Sequence, residues 1–276
     1  AGPPSERDRM LKALISPFGA KDIAVRLKGF FANDPVRGSM LRNFVVIDAK
    51  DLTFYTERNG MPTVRFELSC VLLGENGAVV DKQDQTLTMQ LGQEVFERAQ
   101  REGMVYNFDL PLKRTGSFQL RIAVRDAASQ RIGSASQFVQ TPNLSDGQLA
   151  LSGVLLYAEG PDLEPDDWNR ALVLRRFRQG ASLVFGYTIY NAALDKKTGH
   201  PNLLTQTVVF RDSVKIYGSD RVPVTTANQT DSKRVSAGAR LQLGSALTPG
   251  EYVVQIVVED QVTKRTATQV TQFEVK

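Results

Sequence analysis

The chain is predicted to be all-β: two tandem immunoglobulin- or fibronectin-III-like β-sandwiches with a short N-terminal helix. The first observation behind this is an internal repeat 134 residues apart. Gly116-Ser-Phe-Gln-Leu-Arg-Ile-Ala-Val-Arg-Asp126 and Gly250-Glu-Tyr-Val-Val-Gln-Ile-Val-Val-Glu-Asp260 share a turn glycine, an aromatic two residues on, an alternating aliphatic run and a closing aspartate. Each is followed by a second strand-like run through Gln137-Phe-Val or Gln272-Phe-Glu-Val. A period this long describes a whole domain, since solenoid units repeat every ~20 to 50 residues. The second observation is a rhythm of short alternating runs broken by turn residues about every 8 to 12 positions, the spacing of a sandwich. The third is length: 276 residues suffice for two domains at about 100 to 200 residues each.

The elements follow in order. In residues 1–20, Ser5 caps a helix with early acids and apolar residues at Met10, Leu11, Leu14 and Ile15, which Ser16-Pro17 ends. The first sandwich is expected over 21–148, with strands near 22–32, 41–48, 63–73, 78–91, 104–112, 117–126 and 132–140. Turn chemistry at Asn33-Asp-Pro35, Arg58-Asn-Gly60, Glu75-Asn-Gly77 and Arg114-Thr-Gly116 separates several of them. Residues 93–101 carry Val95, Phe96 and Ala99 at helical spacing and read as a short helix bridging two sheets. The second sandwich, 149–276, has expected strands near 171–177, 182–191, 203–217, 238–244, 251–260 and 265–275. An acidic, proline-containing insertion or linker interrupts its entry at 158–170. The Pro249-Gly250 turn before Tyr252 suits a tyrosine corner, which Phe118 in the first copy cannot form. Phe118, Ile122, Val124, Tyr252, Ile256 and Val258 share one parity and are assigned to one buried face.

Composition excludes several functions. Net charge is +4 and spread evenly, with Lys and Arg exceeding Asp and Glu 19 to 17 through Gln148 and 15 to 13 beyond it, so no nucleic-acid footprint is expected. No apolar run approaches the ~18 residues of a membrane span. Cys70 is the only cysteine, which rules out an internal disulfide or thiolate cluster and suits an inert core thiol. His200, the only histidine, lies in the turn Lys197-Thr-Gly-His-Pro201, a poor base for a hydrolase triad. No nucleophile elbow, P-loop, dinucleotide glycine motif or zinc-protease helix is present, and no enzyme activity or cofactor is expected.

Four carboxylates, Asp162, Glu164, Asp166 and Asp167, crowd beside Trp168. Calcium uses such clusters, but the stretch lacks EF-hand order, so a solvated acidic linker is the expectation and no metal is assigned. Asp126 and Asp260 are read as caps of the turns that follow them. Arg175, Arg176 and Arg178 are read as a solvated strand edge or a set of interdomain salt bridges, in preference to an anion or nucleic-acid contact.

Longer motifs carry a family resemblance. Leu14-Ile-Ser-Pro-Phe18, Asp48-Ala-Lys-Asp-Leu-Thr-Phe54, Gly77-Ala-Val-Val-Asp81, Gly116 to Ser129, Gly133-Ser-Ala-Ser-Gln-Phe138 and Leu149-Ala-Leu-Ser-Gly153 resemble the C-terminal region of VWFA-related proteins of Acidobacteria. Arg175-Arg-Phe-Arg178, Tyr190-Asn-Ala192 and Leu247-Thr-Pro-Gly-Glu-Tyr252 extend the resemblance over nearly the whole chain. It implies an exported, periplasmic, cell-surface or extracellular bacterial protein in which a von Willebrand factor A domain precedes this region, leaving the chain as a C-terminal part. The metal-binding Asp-x-Ser-x-Ser of such A domains is missing here, so that site is not carried over.

The functional expectation is a non-enzymatic structural, assembly or stalk module acting through protein–protein contacts or self-assembly, with strand edges joining neighbours through backbone hydrogen bonds. The alternative is adhesion to a carbohydrate or protein through sandwich-end loops bearing Trp168, Tyr157 or Tyr190. Leu11, Leu14, Ile15, Trp168, Arg175, Arg176 and Arg178 are the candidate interaction residues.

Overall fold

The computed structural model describes residues 5–160, 165–226, 229–244 and 247–276. Its elements run α1 (Glu6–Ile15), β1 (Val25–Asp34), β2 (Gly38–Ile47), β3 (Phe54–Thr56), β4 (Pro62–Leu73), β5 (Val79–Gln90), α2 (Gln93–Glu102), β6 (Met104–Pro111), β7 (Gly116–Asp126) and β8 (Ile132–Thr141). They continue β9 (Ala150–Leu151), β10 (Leu155–Ala158), α3 (Pro165–Leu174), β11 (Arg176–Phe177), β12 (Ser182–Tyr190), β13 (Leu203–Arg211), β14 (Val214–Gly218), β15 (Val222–Pro223), β16 (Arg234–Gln242), β17 (Gly250–Asp260) and β18 (Thr266–Val275). The chain divides into two units. Residues up to Gly29, Leu41–Leu112 and Gly116–Gln140 form the first, and Phe30–Met40, Lys113–Thr115 and Thr141–Lys276 form the second.

The first unit holds a five-stranded sheet, β3-β4-β7-β8 with β5 beside β4, and the greater part of a three-stranded sheet, β1-β2-β6, whose hairpin tip Phe30–Met40 is counted with the second unit. Alternation places Leu41, Val45 and Ile47 of one sheet and Phe66, Leu68, Leu120 and Ile122 of the other in the core, all fully buried. The helix α2 links β5 of one sheet to β6 of the other, as its period predicts. Its Phe96 meets Phe54 edge-on at 4.9 Å, whereas Val95 faces solvent.

The second unit pairs a four-stranded sheet, β10-β12-β16 with β9 beside β12, with a six-stranded sheet, β11-β18-β17-β13-β14 with β15 beside β13. One apolar cluster fills it, including Leu156, Phe185, Ile189, Val235, Tyr252, Ile256 and Phe273. The tyrosine corner is formed: the Tyr252 hydroxyl donates to the Thr248 carbonyl at 2.6 Å, and Arg211 donates to that hydroxyl at 2.9 Å while lying over the ring.

The repeat has the same internal construction in both units. In the first, β7 pairs antiparallel with β4, placing Phe66 opposite Asp126 and Leu68 opposite Val124. In the second, β17 pairs antiparallel with β13, placing Leu203 opposite Asp260 and Thr205 opposite Val258. Gly116 and Gly250 both take positive φ, 134° and 147°, a region that favours glycine. Gln130 and Lys264 both sit in the left-handed region in the hairpin turns. All six residues of the predicted inward parity are buried.

Several expectations are corrected. The Gln137-Phe138 and Gln272-Phe273 correspondence is out by one: Phe138 is 69% exposed and Val139 is buried where the second unit buries Phe273, because a one-residue slip reverses the face of a strand. The single strand expected over 203–217 is the hairpin β13–β14, turned by Asp212 and Ser213, both at positive φ. Asp tolerates that region without glycine. The strand expected over 171–177 is mostly α3. Pro165 is its first residue, where the missing N–H costs nothing, and Asp167 in the first turn suits the helix dipole. The apolar face of α1 is Met10, Ala13 and Leu14, not the predicted set, and Leu11 and Ile15 face solvent.

Candidate functional site

The proposed contact residues are distributed in different ways. Leu14 is buried with Met10 and Ala13 against Val71, Leu73, Ala123 and Ile132 of its own unit. The helix carries a capping box between Ser5 and Asp8. Arg121 donates to the Leu14 carbonyl at 2.8 Å, closing the helix end, and Arg9 donates to the Gln130 carbonyl at 2.8 Å. Arg125, 3% exposed, bridges Glu67 at 2.5 Å and Glu6 at 2.9 Å. So α1 covers the outward face of β4 and β7, and Leu14 is not available to a partner. In the second unit the equivalent residues of β17, Val253, Gln255 and Val257, are only half-buried.

Arg175 is also corrected from contact residue to buried clamp. It is 6% exposed, donates to the Leu172 and Val154 carbonyls at 3.1 and 3.4 Å and to Thr271 Oγ1, and lies over the Phe30 ring at 5.4 Å. Burial pushes its guanidinium down to about 10. Arg176 pairs with Glu274 at 2.7 Å, and Arg178 is exposed. Trp168, 48% exposed, stacks on Tyr157 at 5.8 Å.

Of the acidic candidates, Asp162 and Glu164 lie outside the described residues, and the Asp166 side chain is likewise not described. Asp167 pairs with Arg170 at 2.9 Å. Among the described residues no three His, Cys, Asp or Glu side chains converge as a metal site. His200 is exposed in its turn. Cys70 is buried, and burial pushes its thiol up to about 12, so it carries no thiolate at neutral pH.

The two repeat aspartates knot each unit. Asp126 accepts from the backbone N–H groups of Thr53 and Ser129 at 3.2 and 3.1 Å. Asp260 accepts from those of Ala193, Val262 and Thr263 at 2.9, 2.8 and 3.2 Å. Each carboxylate therefore ties a loop to the turn after its strand. In the second unit that knot fixes one wall of a cleft of about 700 Å³ at the sandwich end. Tyr190, Leu149 and Leu194 supply apolar lining, and Lys233, Arg234 and Arg265 supply charge.

A second feature lies along the side of this unit. The nine-residue β16 ends the four-stranded sheet, with β12 as its only partner among the described residues. The Ser236 N–H and carbonyl point away from β12 and bond the Gln229 side-chain amide at 2.6 and 2.8 Å. Backbone direction alternates along an antiparallel strand, so Gly238 and Arg240 present their N–H and carbonyl groups to the same open side. Among the described residues nothing bonds them there. A slot of about 270 Å³ separates β16 from β14 and β15, lined by Thr205, Thr207, Tyr217, Val222, Ala237 and Ala239 among others. The edge β14 across it is exposed throughout, with Val214 63%, Ile216 44% and Tyr217 46% accessible. Free edges were expected from the sequence, but not which strand; the small-residue run Ser236-Ala-Gly-Ala239 is the only signal there.

No family model and no curated protein matches the chain. Among solved structures, red sea bream transglutaminase is similar at 11% identity and a TM-score of 0.27, over 91% of this chain and 31% of that one. The tetra-tandem repeat in the extending region of a large adhesion protein is similar at 11% identity and the same TM-score, over 92% of this chain and 50% of that one. The chain thus spans half or less of either neighbour. A TM-score of 0.27 is too low for either to inform fold or activity.

Proposed function

We propose that the chain is a non-enzymatic contact module of an exported bacterial protein, joining its neighbour by addition of a partner strand to β16. The observation that carries this is the open backbone of Gly238 and Arg240 beside a slot of mixed polar and aliphatic lining. Edges of this length are usually blunted or covered, because an unpaired row of N–H and carbonyl groups recruits other strands. By contrast β14 is short, bulged and carries Lys215, the features of a protected edge. Export and a preceding A domain rest on the resemblance to VWFA-related acidobacterial proteins; among the described residues no helix is long and apolar enough to cross a membrane.

Magnitudes specify what the partner must bring. Two residues offer four backbone hydrogen bonds, worth about 2 to 6 kcal/mol at ~0.5 to 1.5 each. Association costs on the order of 4 to 15 kcal/mol. The partner strand must therefore also seat side chains in the slot. Photo-crosslinking from position 242 of the full-length protein in its own cell tests the reading. A covalent adduct with one protein chain, lost in Arg240→Pro, is expected; that substitution removes an outward N–H and spares the β12 ladder. No adduct, or one unchanged by Arg240→Pro, overturns it.

The second reading, recognition through sandwich-end loops, is favoured by the cleft beside Tyr190.

A further inference from the structure

We infer that the end cleft of the second unit binds an acidic peptide segment of a partner protein, one that places an apolar side chain between carboxylates. The inference rests on the loop-recognition reading and is independent of the β16 edge.

Three cations, Lys233, Arg234 and Arg265, line the cleft, and no carboxylate is among its described lining residues. Arg234 is committed internally: it pairs with Asp231 at 3.0 Å and donates to Asn33 Oδ1 at 2.9 Å, Asn33 belonging to the same unit. Lys233 and Arg265 are exposed and pair with no carboxylate among the described residues; the Arg265 guanidinium donates to the Gly147 carbonyl at 3.3 Å. Asp231 is taken by Arg234 and the Asp260 carboxylate by three N–H groups, so the two remaining cations are free to meet an anionic ligand. The volume lies within the ~300 to 1,000 Å³ of ligand sites.

The walls are held in place. Asn191, at φ 58°, donates to the Leu144 and Gln148 carbonyls at 2.8 and 3.1 Å. Asp260 binds the loop at Ala193 to the hairpin turn that ends in Arg265. The cations are thus set on loops that lose little freedom on binding.

The lining distinguishes a peptide from an acidic saccharide. Stacking on a sugar ring would use an exposed aromatic face, and Tyr190 offers none: it is 2% exposed, meets Phe31 edge-on at 5.9 Å, and accepts the Asn33 N–H at 3.0 Å. What remains open is aliphatic, Leu194 being 47% exposed. A leucine-like side chain fits that floor, and flanking carboxylates reach Lys233 and Arg265.

The test is fluorescence anisotropy of the whole chain with a labelled Glu-Asp-Leu-Asp-Glu peptide at low and physiological salt. Saturable binding is expected, weakening as salt screens the exposed charges. Lys233→Gln with Arg265→Gln should lower affinity about tenfold with melting temperature unchanged. A control of equal charge change in the first unit, Lys50→Gln with Arg58→Gln, should leave binding intact. Absence of saturable binding, or equal loss in control and cleft variants, overturns the proposal. Displacement by trigalacturonate at lower concentration than by unlabelled peptide also overturns it, in favour of an acidic saccharide. None of these outcomes touches crosslinking from position 242, so the two readings fail separately.

Discussion

Ile256→Ala puts the inward face of the repeat to a quantitative test. Ile256 is 0% exposed at the centre of β17, opposite Thr207, inside the cluster that fills the second unit. The substitution deletes three buried carbons, a transfer loss of about 2.4 kcal/mol at ~0.8 per carbon. A cavity between two sheets that collapse poorly adds to this, giving about 2 to 5 kcal/mol. Val257, the next residue, points to the other face and is half-buried, so Val257→Ala should cost under about 1 kcal/mol. Urea unfolding followed by tryptophan fluorescence is the assay. Trp168 is the chain's only tryptophan and stacks on Tyr157 within the second unit, so it reports that unit even where the two units unfold separately. A cost for Ile256→Ala below about 0.5 kcal/mol, or one equal to that of Val257→Ala, would refute the assignment of the buried face.

Leu14→Asp should destabilise the first unit by several kcal/mol, since an unpaired charge enters the cluster with Val71 and Ala123; light scattering should show the same oligomeric state before and after, and a change of state at unchanged stability would contradict the inward packing of α1. Millimolar calcium should leave the melting temperature unmoved, whereas a structural site at a hundredfold excess over its Kd would add about 2.7 kcal/mol; a rise lost in Asp166→Asn would establish a metal site. Acid stability should follow Asp126. Burial pushes that carboxyl up, but bonds from Ser129 and Thr53 outweigh it and hold it below its ordinary value. A folded pKa below the unfolded one stabilises above the unfolded value and is lost as pH falls, so the first unit should hold steady above about pH 4 and weaken below it. Asp126→Asn should flatten that fall; an equally steep fall in the variant would place its origin elsewhere.

The hairpins were legible because local rules agree there: a glycine at positive φ, strict alternation and a closing aspartate whose carboxylate needs only the next turn. Tyr252 was legible as a corner for the same reason, its partner lying four residues back. What escaped prediction depends on distant neighbours. Arg125 occupies an outward strand position, and nothing nearby in sequence indicates that α1 buries it against Glu67. Arg175 reads as part of a charged run, yet a left-handed residue after α3 turns it into the core. An aromatic side chain does not by itself fix register: Phe138 points outward, and Val139 holds the inward place that Phe273 has in the second unit. The cleft cations come from segments 31 residues apart in sequence that meet only at the end of the folded sandwich.

The open edge of β16 is tested most directly by amide hydrogen exchange read residue by residue. In the isolated chain Ala237 and Ala239, whose amides face β12, should be protected, and Gly238 and Arg240 should exchange rapidly. In the assembled full-length protein Gly238 and Arg240 should become protected as well. Protection of those two amides in the isolated chain, or continued rapid exchange in the assembly, would contradict strand addition at β16.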